Sequence, residues 1–86
     1  MKTIHKYTLR PEGRKIVLPK GAKILSAHVQ HGGVCIWVEV ELGAEEEEVT
    51  IAVYGTGQAI PDIAQEFIGT VLVADDSFVF HIYKVL

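Results

Sequence analysis

The sequence has almost none of the sulfur that makes cross-links and redox sites. It holds one cysteine, Cys35, in 86 residues. An intrachain disulfide is therefore excluded, and a reducing compartment is expected. Positive charge is also scarce: 8 Lys and Arg stand against 11 Asp and Glu, for a formal charge of −3. That excludes the basic stripe with which a protein binds duplex nucleic acid. No run approaches the 18 apolar residues of a membrane-spanning helix. The opening MKTIHKYTL lacks the apolar core of a secretion signal, so the cytoplasm is the expected location. The usual catalytic signatures are missing too. There is no G-x-S-x-G, no H-E-x-x-H, no EF-hand spacing and no second cysteine for a zinc site. Ser26 and Ser77 have no evident base. No catalytic residue, metal or cofactor is expected, and the chain is not read as an enzyme.

What is present is apolar. Hydrophobic residues make up 49% of the chain and charged ones only 22%. A chain of this length forms one domain and buries only about 60–65% of its unfolded surface. That much apolar content in so thin a core predicts association with a second copy, because large exposed apolar patches are rare on monomers.

The stretch Ile24–Glu41 organises the rest. Two alternating apolar runs flank Gly32-Gly33, and a two-residue turn with positive φ at both positions predicts a hairpin there. The implied pairs are Gln30/Cys35, Val29/Ile36, His28/Trp37, Ala27/Val38, Ser26/Glu39 and Leu25/Val40. Leu25, Ala27, Val29, Ile36, Val38 and Val40 then share an apolar face. A strand from Val49 to Thr56, pairing antiparallel with the second arm, extends that face through Ile51 and Val53. It also sets Ala52 beside Trp37 and Tyr54 beside Cys35. Thr3–Leu9 and Lys15–Leu18 are earlier strands, separated by a turn at Pro11-Glu12-Gly13. Phe67–Ala74 and Phe78–Val85 form a closing hairpin around Asp75-Asp76, with Val73/Phe78, Val71/Phe80 and Gly69/Ile82 on one face and Leu72/Val79, Thr70/His81 and Ile68/Tyr83 on the other. Glu45–Glu48 reads as a solvated loop, and Ile63–Phe67 holds at most one turn of helix. About seven short strands without a long helix predict an all-β fold, a small antiparallel β-sandwich or a partly open barrel.

Two sets of residues have the chemistry to bind a ligand. On the outer face of the predicted meander, Trp37 and Tyr54 lie near His28, Gln30 and Cys35. Such a face is covered by a loop, by another subunit or by a ligand. The second set is the loop Tyr54-Gly55-Thr56-Gly57-Gln58-Ala59-Ile60-Pro61. Its two glycines either supply positive φ to a turn or let backbone N–H groups converge on an anion. It lacks the third glycine of a dinucleotide fingerprint and the lysine of a P-loop. Ile60-Pro61 is a candidate for a cis bond. The histidines do not group by spacing: His28 and His31 fall on opposite faces of a strand. His5 and His81 each sit near a tyrosine, Tyr7 and Tyr83, and either cap a sheet edge or contact a bound molecule. Cys35 with His28 is the one nucleophile–base pair the pattern allows. The ligand-binding candidates are thus His28, Trp37, Tyr54, Gly55, Thr56, Gly57, Gln58, His81 and Tyr83.

Motifs along nearly the whole chain carry a resemblance. KTIHKYTL opens it, PKGAKILSAHVQ follows, and then come a Trp-containing strand, YGTGQAI, FIGTVL and FVFHIYK. In this order they resemble a family of small β-domain proteins encoded by tailed bacteriophages and prophages. The resemblance implies an origin rather than an activity, with the host cytoplasm as the working location. Phage proteins of this size often disarm the host. By analogy with that way of life, the expected role is a non-catalytic, oligomeric protein that sequesters a host defence nucleotide. Stacking of a base on Trp37 or Tyr54 contributes about 1–3 kcal/mol, and Gly55–Gly57 amides with Arg14 take the phosphate charge. The alternative is an inhibitor of a host protein, or a virion accessory protein, acting through the apolar-aromatic face.

Overall fold

The structure, a computed structural model, describes residues 1–10 and 15–86. Seven strands run in chain order: β1 (Lys2–Thr8), β2 (Lys15–Pro19), β3 (Lys23–Gln30), β4 (Gly33–Glu41), β5 (Glu46–Gly55), β6 (Gln65–Val73) and β7 (Phe78–Val85). They form two antiparallel sheets, one ordered β1-β4-β3 and the other β2-β5-β7-β6. The sheets do not close into a barrel, so the fold is the small β-sandwich of the two expected forms. The turn expected at Pro11-Glu12-Gly13 and the Arg14 side chain lie outside the described residues.

Alternation builds the core. Ile36, Val38 and Val40 of β4 face Val49 and Ile51 of β5, Val71 of β6 and Ile82 of β7, joined by Leu18 and Ala27. All of these are buried. Full burial of a Val, Leu or Ile side chain contributes about 1.5–3 kcal/mol, so these residues supply most of the driving force. The sheets approach closely where β3 crosses β6. A Cβ placed on Gly69 would lie 3.8 Å from both the Cβ and the carbonyl oxygen of Ala27. That is ordinary van der Waals contact, so the sheets run close here with room left for a methyl group.

The central hairpin forms, but its turn is His31-Gly32 rather than Gly32-Gly33. Their φ values are 53° and 78°, the two positive values of a type I′ turn. Histidine is among the residues that tolerate the left-handed region. The register moves by two, to Val29/Val34, His28/Cys35, Ala27/Ile36 and Ser26/Trp37. An even shift preserves both faces. A bulge between Ile24 and Ser26 then puts Ile24, not Leu25, opposite Val38, and Leu25 is exposed.

The expected meander does not form. β5 pairs with β2 and β7 in the other sheet, and β1 takes the place beside β4. β1 carries the same alternation, and its Tyr7 and His5 stand opposite Ile36 and Val38. Glu46, Glu47 and Glu48 belong to β5, with exposed side chains, and are not loop. Their backbones pair with Pro19, Leu18 and Val17 of β2. The closing hairpin pairs as expected from Val73/Phe78 to Gly69/Ile82. A bulge then makes Phe67, rather than Ile68, the partner of Tyr83. Residues 63–67 contain no helical turn, and no cis peptide occurs among the described residues.

Candidate functional site

The nine candidate residues separate into two groups on opposite outer faces of the sandwich. His28 and Trp37 lie on the β1-β4-β3 sheet. Tyr54, His81 and Tyr83 lie on the other, with the Gly55–Gln58 loop at its end. Tyr54 and Ala52 are therefore not neighbours of Trp37. That indole is flanked by Ser26 on β3 and Lys6 on β1, and the His28 ring meets it edge-on at 5.8 Å. Cys35 lies opposite His28 but is buried. Its thiol contacts the Thr8 hydroxyl at 3.5 Å and donates to the Gly33 carbonyl at 3.7 Å. Lys6 Nζ donates to Gln30 Oε1 at 2.6 Å, spanning β4 diagonally across that cysteine. Cys35 is thus enclosed, whereas its cross-strand partner His28 is exposed.

On the second sheet the candidate residues do converge, and they converge on one another. β5 ends at Gly55, opposite Phe80, whereas β6 begins at Gln65, opposite Val85. Those positions are five residues apart along β7, about 17 Å at about 3.4 Å per residue. Residues 56–64 must cover that distance, and the contacts of Thr56 and Gln65 place the crossing on the outer face. Thr56 Oγ1 bonds His81 Nε2 at 2.8 Å, and Thr70 Oγ1 bonds His81 Nδ1 at 2.9 Å. A hydroxyl donates or accepts, so either imidazole tautomer is satisfied. Tyr54 is buried, and its hydroxyl donates to Gln65 Oε1 at 2.8 Å. Gln65 Nε2 in turn donates to the Pro61 carbonyl at 3.3 Å. Tyr83 sits edge-on to both Tyr54 and Phe67, at 5.4 Å each. These groups fasten the crossover to the sheet. His5 and Tyr7 belong to the first sheet and do not join His81 and Tyr83.

The glycine loop is a turn. Gly57 has φ of 88°, and Gln58 N–H donates to the Gly55 carbonyl at 3.0 Å. The Gly55 N–H is taken by Gln58 Oε1 at 3.0 Å. It is not offered to an anion.

A cleft of about 620 Å³ opens between the sheets at this same end. One wall is Thr8, Leu9 and Val34 with Gly32 and Gly33. The other is Val53, Val73 and Phe80 with Gly55, and Arg10 and Gln58 stand among the lining residues. The Phe80 ring lies nearly parallel to Phe78, at 11° and 6.2 Å. Only Gly55 and Gln58 of the nine candidates line it. Leu9, Arg10, Val34, Val53, Val73 and Phe80 were not candidates, because their shared end is a product of strand order. The cleft has the size and apolar lining usual for a small-molecule site. Among the described residues no three His, Cys, Asp or Glu side chains gather to hold a metal. No helix among them is long and apolar enough to cross a membrane.

A family model described as a domain of unknown function, DUF7352, matches residues 1–86. No curated protein and no solved structure matches the chain.

Proposed function

The chain belongs to the DUF7352 family, and we propose that it is a non-catalytic binding protein that sequesters a small host molecule of the nucleotide class. The observation that carries this reading is the inter-sheet cleft. It is about 620 Å³, walled by apolar side chains and the Phe80 ring, with Thr8, Arg10 and Gln58 as polar side chains. Phe80 supplies a surface on which a base stacks, and the Arg10 guanidinium complements a phosphate. Sequestration in the host cytoplasm, against a phage-directed defence, is the biological form of the proposal, and it follows from the resemblance to phage-encoded proteins. The enclosed Cys35 thiol and the His81 ring held between two threonines support the non-catalytic form of this reading.

The test is a thermal-shift titration with cyclic, linear and ADP-ribose-type nucleotides. A ligand that binds the folded state alone raises the melting temperature by mass action, with a stabilisation near 2.7 kcal/mol at a hundredfold excess over Kd. Recovery of the same nucleotide unchanged after heat denaturation supports sequestration, and recovery of a product points to an enzyme. If no nucleotide shifts the transition at large excess, the reading fails.

A second reading has its own observation. Ile60, Ile63, Phe67 and Leu72 are large apolar side chains, each about half exposed, on the crossover and on β6. Apolar exposure of this kind suits contact with a protein, either a second copy or a host factor. A solution mass equal to twice that of one chain supports self-association. Capture of one host protein, lost on Phe67→Asp, supports an inhibitor.

A further inference from the structure

We infer that the cleft selects an amphipathic ligand with a single anionic group, held at Arg10, and an apolar or aromatic body lodged between the sheets. This rests on the small-molecule reading but does not require that the ligand be a nucleotide.

Charge comes first. The protein is acidic overall, with a formal charge of −3, yet among the described residues no carboxylate side chain lines the cleft and Arg10 is the one charged lining residue. Among the described residues the ion pairs use Lys2, Lys15 and the N-terminus, and none of them uses Arg10. A guanidinium presents a planar fork that takes a carboxylate or phosphate through two parallel hydrogen bonds.

Position comes next. Leu9 is buried, and its N–H donates to the Val34 carbonyl at 2.8 Å. That bond fixes the backbone one residue before Arg10, so the cation starts from a rigid point. Gln58 is fixed as well. Its Oε1 accepts from Gly55 N–H, which leaves the two amide hydrogens on Nε2 as its donor end. Both polar groups favour an acceptor on the ligand.

The walls then limit the charge to one group. Leu9, Val34, Val53, Val73 and Phe80 offer no hydrogen bond through their side chains, and the Thr8 hydroxyl already contacts the Cys35 thiol. A second anion placed against them would be desolvated without a partner, which is strongly unfavourable. An apolar or aromatic body fits, with Phe80 already oriented by its stack on Phe78.

Two chemical sources meet this description: a nucleoside monophosphate, and a carboxylate on an acyl or aryl body. Matched pairs separate them from each other and from a purely hydrophobic site. The full chain is titrated calorimetrically with AMP against adenosine, and with octanoate against octanol. The expected result is that the charged member of at least one pair binds at least tenfold more tightly than its neutral partner. Binding should weaken as salt is raised. Arg10→Gln should lower the affinity of the charged member to that of the neutral one at an unchanged melting temperature, and Arg10→Lys should restore part of it. Binding of octanoate without AMP upholds this inference and removes the nucleotide reading. Binding of AMP without octanoate upholds both. Equal binding within each pair overturns the inference. So does an affinity indifferent to Arg10→Gln, or the absence of binding by either charged member.

Discussion

The two outer faces of the sandwich are built from similar alternating strands and end in different states. On the β1-β4-β3 sheet the outward side chains are exposed or half-buried, apart from Cys35, and many are charged. Lys2 lies 3.9 Å from Glu39, the N-terminal ammonium 3.3 Å from Glu41, and Lys6 bonds Gln30. On the other sheet the crossover of residues 56–64 ties itself to the surface. There Tyr54, Thr56, Gln65, Thr70 and His81 direct their polar atoms at one another. Aromatic and polar residues in a strand thus marked a surface already covered by the chain itself. A residue with binding chemistry is free to bind only when its partners lie outside the chain, and on the second face they lie within it. Among the described residues, the place where apolar walls lack an internal partner is the cleft between the sheets.

The largest test of this contrast compares two aromatic truncations. Tyr54→Ala removes a buried ring and the bond to Gln65. It should cost about 3–5 kcal/mol, the usual range for a buried aromatic reduced to alanine, read as a lower midpoint in urea. Trp37→Ala removes a half-buried ring packed against His28 and should cost about 1–2 kcal/mol. If Trp37→Ala proves as costly as Tyr54→Ala, and its cost depends on protein concentration, the first face is covered in solution by a second copy. The same variant should leave cleft binding unchanged, because Trp37 is on an outer face and not among the lining residues.

A step smaller is Thr56→Val, which keeps the shape of the side chain and removes its bond to His81. A net loss of about 1 kcal/mol is expected. Hydrogen exchange should rise in residues 56–64 and not in β1 or β4. Uniform exchange across both sheets would mean that the crossover is not a separately fastened element.

How much of this the sequence carries depends on how local each pairing is. The β6–β7 hairpin is legible almost to its last pair, because a short turn joins strands that meet only once. The β3–β4 hairpin is legible in its faces and not in its register. Alternation has period two, so an even slip leaves the pattern intact, and His31 serves in the left-handed turn for which the adjacent Gly32-Gly33 pair is the stronger local signal. The neighbour of β4 is illegible. β1 and β5 both alternate, and nothing local separates Tyr7 opposite Ile36 from Val53 in that place. A β5 neighbour for β4 would put Tyr54 on the face of Trp37 and leave no cleft between the sheets. That cleft collects residues as far apart in sequence as Leu9, Val34, Val53 and Phe80. Gly55 and Gln58 were found through their loop, although their polar contacts are mutual rather than with an anion.

The smallest expected effect sharpens the comparison from the solvated side. Lys2 and Glu39 are separated by 3.9 Å with side chains 69% and 39% exposed. Water screens such a pair, and holding two long side chains in one geometry costs entropy, so its net contribution is small. Lys2→Ala should therefore change stability by less than about 0.5 kcal/mol. Raising salt from low to physiological strength should erase even that difference. A larger loss, persisting at high salt, would mean that Lys2 is desolvated in solution, which the isolated sandwich does not allow. It would then place a partner over the outer face at β1, next to Ile4, whose side chain is 56% exposed. Both ends of the scale thus ask the same physical question of the first face: whether water or another chain lies against it.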